Sequence, residues 1–357
     1  MTESAAAARR GAVSRRVFMR WLAAGLAAPG APAFAAQVQQ PPLIKPARLR
    51  EGDLVGLIAP GGVVDDGQIE KGVRNLESLG LRVKLGENVR AARGNFAGTT
   101  EQRLADLHAM FLDREVKGVW TVRGGSGCAH LLPGIRYDLI RRAPKALVGF
   151  SDITALHLAI ARRARVVTFH GPAAISTFSD YSAGHLRAIL MAPAPTYAIP
   201  MAAENLGKAT DSPEFALRTW REGTATGRLV GGNLAVLAAL VGTPYAAQMN
   251  GGIAFIEEIS EAPYRIDRML TQLEQSGELT RAAAVMLGVF VKCGPPPGEA
   301  SLTLAETFDE HLTHLGVPAV SGYSFGHIAH HFTIPMGIRA RLDTGSRTLT
   351  LLEAAVA

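Results

Sequence analysis

Lys145-Ala146-Leu147-Val148-Gly149-Phe150-Ser151-Asp152-Ile153-Thr154 is the stretch on which the reading of this chain turns. Ala146, Leu147, Val148 and Phe150 surround Gly149 and run straight into Ser151, as a buried strand would. From Ile153 to Ala164 the pattern becomes helical, with Ile153, Leu156, His157 and Ile160 on one face. A strand that turns at Gly-x-Ser and enters a helix lifts the serine hydroxyl above the sheet edge. It also aims the first free N–H groups of the helix at the same spot. Two readings are open: a nucleophile beside an oxyanion hole, or a serine that caps the helix. The second glycine of G-x-S-x-G is missing, so this stretch alone does not choose.

Upstream, the strands repeat. Asp53 to Pro60 reads as a buried strand, Leu81 to Leu85 as a second and Val116 to Val122 as a third; Lys145 to Phe150 is the fourth and Val166 to Phe169 the fifth. Between them lie helical periods over 66–79 and after Thr99-Thr100-Glu101-Gln102, a capping box. Strands alternating with helices predict a parallel α/β sheet, whose site lies at the carboxyl ends of its strands. Arg123-Gly124-Gly125-Ser126-Gly127, Ser151 and His170 all fall at such ends.

Residues 192–225 change character, with four prolines among short polar pieces, and read as a crossing between domains. Beyond it come Gly231-Gly232-Asn233-Leu234 before an apolar helix, a buried strand Ile253–Glu257 and an amphipathic helix Pro263–Leu273. A second buried strand Ala283–Val291, a helix near 302–315 and a hairpin at Asp343-Thr344-Gly345-Ser346 follow. The domain expectation is 47–191 for the nucleophile and 226–357 for its partners, joined by 192–225.

Length and composition agree with this plan. A chain of 357 residues, 48% hydrophobic and 19% charged, suits two globular domains. Its net charge is +6, of which five arginines and one glutamate in residues 1–35 supply +4. The +2 left, without a basic stripe, argues against nucleic acid. Residues 1–35 read as an export signal: Ser14-Arg15-Arg16-Val17-Phe18 resembles the twin-arginine motif, a short apolar core follows, and Ala33-Phe34-Ala35 fits cleavage. The core is shorter than the ~20 residues that span a bilayer, so no membrane span is expected after cleavage. A linker, 36–46, follows, and the expected location is the periplasm. Cys128 and Cys293 are expected as free thiols, although one disulfide is possible there.

Three patterns then stand in the order serine, acid, histidine: Ser151, the pair Glu257-Glu258 at a strand end, and His327 after a turn-rich entry. This is the chain order of α/β-hydrolases. The hydroxyl needs a histidine to take its proton, and the imidazole needs a carboxylate to orient it. Glu257 and Glu258 point to opposite faces, both apolar, so alternation does not choose between them. His327 and His331 have i, i+4 spacing, but no HExxH glutamate accompanies them, so no metal is expected. The Gly-Gly-Ser-Gly turn lacks a P-loop lysine, so no nucleotide cofactor is expected either.

Arg123-Gly124-Gly125-x-Gly127, Pro144-Lys145-x-Leu147 through Leu156, Thr168-Phe169-His170-Gly171-Pro172, Gly231-Gly232-Asn233-Leu234, Glu257-Glu258 with Glu261-Ala262-Pro263-Tyr264-Arg265, and Gly326-His327 together resemble the L,D-carboxypeptidase family of serine peptidases. The likeness runs over roughly 44–355. It implies a Rossmann-like N-terminal α/β domain, a smaller mixed α/β C-terminal domain, and an active site between them. It also implies a homodimer, and release of terminal D-Ala from murein tetrapeptides. By the motifs, Ser151 is the nucleophile, Glu257 the acid and His327 the base. Asp152, Gly124 and Gly125 are the expected oxyanion N–H donors, and Arg123 and Asn233 the expected substrate contacts. Two rival functions stay open: a self-immunity amidase that cleaves a peptidyl-nucleotide antibiotic, and a murein-binding module without turnover. Ser126 departs from the family, which often has tyrosine there.

Overall fold

The computed structural model describes residues 43–357. The export signal and most of the 36–46 linker lie outside the described residues. Two sheets organise the rest.

The first sheet begins with β1 (Leu54–Ile58), β2 (Arg82–Leu85), β3 (Val116–Thr121), β4 (Ala146–Gly149) and β5 (Phe169–His170). These five are parallel, in the spatial order β5-β4-β3-β1-β2. The edge strand β2 alternates charged and apolar residues and is partly exposed, whereas β1, β3 and β4 are mostly apolar because helices cover both faces. Neighbouring residues of β1 show this. Gly56 lies against the Met110 side chain of the helix Thr100–Leu112, whereas the Leu57 side chain packs on Gly72 of the helix Asp66–Ser78. Both helices open with a capping box, Thr99 with Gln102 in one and Asp65 with Gln68 in the other.

The second sheet takes β6 (Tyr197–Ile199), β7 (Arg218–Arg221), β8 (Thr224–Asn233), β9 (Ile253–Ile259), β10 (Ala284–Val291) and β11 (Ala319–Ser321). The chain then returns to the first sheet with β12 (Ile334–Pro335), antiparallel to β5, and closes the second with β13 (Arg339–Asp343) and β14 (Thr348–Leu351). The second sheet has the order β6-β14-β13-β8-β9-β10-β11-β7. Its centre, β8 to β11, is parallel and its flanks antiparallel. This is a mixed α/β architecture with two sheet domains. Among the described residues no helix is long and apolar enough to cross a membrane.

Three sequence expectations change. The 192–225 stretch is not a plain connector: it supplies both outermost strands of the second sheet, β6 and β7, and the start of β8. Its strands are short and half-exposed, as edge strands are, so they carry no hydrophobic alternation to read. The described end of the 36–46 linker is tied down as well, since Ile44 pairs with Val166 and Lys45 meets Glu353 at 2.8 Å. The helix after Ser151 is also not uniform. It starts as a 3₁₀ turn, Ser151–Ile153, runs as α-helix over Thr154–Ala159 and ends in a π turn, Ile160–Ala164. Both cysteines are buried free thiols.

Candidate active site

The turn at Ser151 is strained. Phe150 is fully extended (φ −152°, ψ −172°), and Ser151 follows with φ +64°, a left-handed conformation that costs a residue with a Cβ roughly 1–2 kcal/mol. The sequence before it makes so tight a turn possible: a side chain at Gly149 would overlap Thr121 Oγ1 and press on Ile153. His157 holds the other side of Gly149, with Nε2 at 2.9 Å from its carbonyl. Neither the 3₁₀ turn nor the α-helix has a side-chain cap bond, so Ser151 does not serve as a cap.

The glycine loop after β3 lies directly against this turn. A Cβ on Gly124 would stand 2.8 Å from Ser151 Cβ and 3.1 Å from the Asp152 nitrogen. Gly125 has φ +108°. The loop is held by Gly62, whose N–H donates to the Gly124 carbonyl at 2.8 Å. Arg103, buried, donates to the carbonyls of Pro60 (2.9 Å) and Gly127 (3.1 Å) and lies over the Phe96 ring. Asp152 closes the arrangement: its Oδ2 accepts from the Cys128 N–H at 2.9 Å. The residue after the serine thus ties the far end of the glycine loop to the turn. Among the described residues the N–H groups of Gly124, Gly125 and Asp152 make no hydrogen bond. Sequence reading named Asp152 for its N–H only, and it missed Arg103, which carries no motif. Ser126 sits on the loop with its hydroxyl 2.7 Å from Asn95 Nδ2, and the Arg123 guanidinium has no partner among the described residues.

The second sheet brings the other two groups. Glu257, near the end of β9, is wholly buried, and its Oε2 lies 2.7 Å from His327 Nδ1. Gly326 (φ +118°) allows this approach, because a Cβ there would lie 3.3 Å from the same oxygen. Burial disfavours the imidazolium of His327. The Glu257 charge, its hydrogen bond and the more distant Glu258 charge outweigh that and hold His327 above its ordinary value. Nδ1 is committed to Glu257, which leaves Nε2 to exchange a proton with a hydroxyl.

Glu258 points the other way. Its carboxylate accepts from Asn233 Nδ2 (2.8 Å), the Ala235 N–H (2.7 Å) and the Ile259 N–H (2.8 Å). Burial pushes it up to about 6, against those hydrogen bonds. Asn233 has both ends of its amide engaged, since its Oδ1 also caps the helix Leu234–Ala239. The Asn233 N–H donates to Thr154 Oγ1 at 3.0 Å, and a side chain at Gly232 would overlap Thr154. This close contact docks the helix after Ser151 on the end of β8. Of the remaining histidines, His331 and His170 are wholly buried, and His330 Nδ1 stands 4.0 Å from Glu204.

Comparison with known proteins gives the family and the fold. The LD-carboxypeptidase N-terminal domain matches residues 55–171, and the LD-carboxypeptidase C-terminal domain matches residues 226–342. A probable murein peptide carboxypeptidase of Bacillus subtilis is 38% identical over 319 residues, covering 87% of this chain and 95% of that protein. The solved structure of a muramoyltetrapeptide carboxypeptidase from Oxalobacter formigenes superposes with a TM-score of 0.71 at 29% identity, covering 84% of this chain and 97% of that one. The microcin C7 self-immunity protein MccF superposes with a TM-score of 0.79 at 21% identity, covering 88% of this chain and 100% of its own, which is a likeness of fold.

Proposed function

This chain belongs to the LD-carboxypeptidase family and is a serine-type carboxypeptidase, and from that premise we propose that it releases terminal D-Ala from murein tetrapeptides through a Ser151-Glu257-His327 acyl-enzyme mechanism. The observation that carries the proposal is the 2.7 Å contact of His327 Nδ1 with the wholly buried Glu257, made where the His327 ring also packs on Phe150, the residue before Ser151. The strained serine supports it from the other sheet.

The proposed reaction runs in two halves. His327 Nε2 takes the Ser151 proton as Oγ attacks the carbonyl of the third residue. Glu257 holds the Nδ1 tautomer and stabilises the imidazolium that forms. The developing oxyanion is received by the N–H of Asp152 with that of Gly124 or Gly125. One such donor is worth about 2.7–4 kcal/mol. His327 then gives its proton to the departing D-Ala amine. Water, activated by the same base, cleaves the acyl-enzyme. Arg123, half-buried at the loop and without a partner among the described residues, suits the carboxylate that ends the substrate.

The cellular setting belongs to the same reading: export by the twin-arginine route through Arg15-Arg16, work in the periplasm, and a homodimer as the assembly. The likeness to MccF is one of fold and leaves a second activity, cleavage of a peptidyl-nucleotide antibiotic, as the alternative; the proposed export would speak against it. Incubating the purified protein with a disaccharide tetrapeptide and with a peptidyl-nucleotide, followed by mass spectrometry, separates the two. Loss of one alanine from the first supports the proposal. Turnover of the second alone overturns it, and binding without turnover leaves a murein-binding module.

A further inference from the structure

Phe150 touches both halves of the machinery. Its backbone leads into the strained Ser151, and its ring packs on His327 with centroids 4.8 Å apart and a tilt of 57°. The same ring meets His331 at 5.1 Å and His170 at 6.0 Å. Three imidazoles therefore clasp one phenyl ring, and they are not alike. His327 is partnered by Glu257. His170 and His331 are wholly buried, and neither ring has a protein hydrogen-bond partner for its nitrogens among the described residues. Burial, with the neighbouring imidazoles, keeps both below the ordinary histidine range, His331 at about 3, so they are neutral at neutral pH. The charges that act on His327 are then Glu257, in contact with it, and Glu258, on the opposite face of β9, while His331 and His170, which share the Phe150 ring with it, are uncharged.

We propose that Phe150 is a positioning residue for the reaction: its ring, held by His170 and His331, fixes the His327 imidazole beside the turn that carries Ser151 and keeps water from that side of it. This rests on the reading of Ser151 and His327 given above. The physical argument is one of rigidity. A phenyl ring has two side-chain torsions, and here both are restrained by packing against rings from the first sheet (His170) and from the segment that follows His327 (His331). Phe150 directly precedes Ser151 in the chain and its ring lies on His327, so displacing the residue disturbs the placement of both reacting groups. A misplacement of about 1 Å costs on the order of 100-fold in rate.

The test uses the full chain with Phe150→Leu, Phe150→Tyr and, as a comparator, Glu257→Gln. Folding is checked by circular dichroism, and Phe150→Met, closer in volume, replaces the leucine variant where the latter does not fold. D-Ala release gives kcat and KM, and the His327 titration is read by NMR and assigned with His327→Gln. Phe150→Leu should lower kcat about 10- to 100-fold with KM within about threefold. It should also raise the His327 titration by about 0.5–1 pH unit, because water reaches an imidazole whose burial opposed protonation. Glu257→Gln should move it down. Phe150→Tyr, which keeps the ring, should stay within about threefold of wild-type kcat. Wild-type kcat in Phe150→Leu, or lost rate with an unmoved or lowered His327 titration, overturns the proposal. If the wild-type rate does not follow the His327 titration at all, the assignment of His327 as base fails, while the direction of the NMR shift still judges the clasp.

Discussion

Gly124 stands so close to Ser151 that a Cβ on it would lie 3.0 Å from the serine Oγ. On the proposed mechanism the glycine lets its backbone approach Ser151, and a side chain there would crowd the reacting carbonyl. Gly124→Ala keeps its N–H but its Cβ would push the loop away from Ser151, so it is expected to fold and to lose about 100- to 1,000-fold in kcat, the scale of one misplaced oxyanion donor. Circular dichroism with steady-state D-Ala release checks this, and a folded variant within threefold of wild type would remove the loop from the site.

Ser151 predicts a separation of stability from activity. Ser151→Ala keeps a Cβ at φ +64° and should neither turn over substrate nor gain stability. Ser151→Gly should also be inactive, yet more stable by about 1 kcal/mol, since glycine adopts that conformation without strain. Denaturant melts of both proteins decide it. Equal stability would mean that the turn stores no strain.

The two adjacent glutamates should fail differently. Glu257→Gln leaves an acceptor for His327 but no charge, so kcat should fall by about three to four orders of magnitude with a smaller effect on KM. Glu258→Gln leaves one of three converging N–H groups facing an amide NH₂. It should cost about 1–3 kcal/mol of stability, with kcat of the folded protein changed only several-fold. A dead Glu258→Gln beside an active Glu257→Gln would invert the assignment.

The pH dependence has a definite sign. His327 must be neutral to act as base, so kcat/KM rises as pH passes its pKa. Glu257 and Glu258 hold that pKa above the ordinary histidine value, so the acid limb should lie above about 6.5 and move down in Glu257→Gln. Glu258 titrates oppositely to a salt-bridged carboxylate. Its folded pKa, about 6, exceeds its unfolded value near 4.3, so its contribution to stability is present below about pH 4 and is lost as pH rises to 6. A pH series of denaturant melts on wild type and Glu258→Gln measures the difference.

Export can be tested on the same chain. Replacing Arg15 and Arg16 by lysine should leave the precursor in the cytoplasm, as fractionation and immunoblotting would show. Unchanged periplasmic delivery would point to another route.

The sequence by itself determined the parts of this protein that depend on local pattern. The central parallel strands of the first sheet, β1, β3 and β4, read as apolar runs because both of their faces are covered, and Thr99 with Gln102 announced a helix start because capping is a contact between residues three apart. The glycines of the loop after β3, Gly149 and Gly326 were visible as motifs, although the reason for each lies elsewhere in the chain: Ser151 Oγ beside Gly124, Thr121 beside Gly149, Glu257 Oε2 beside Gly326. What only the tertiary structure decided is what depends on partners distant in sequence. Whether Ser151 caps a helix or stands on a strained turn is a matter of its φ, which no composition reveals. Residues 197–199 and 218–221 are strands only because β14 and β11 offer them edges, and β12 only because β5 does. Glu257 and Glu258 are indistinguishable on a strand that is apolar on both faces. The fold separates them by setting His327 against one face and the Asn233 cap against the other.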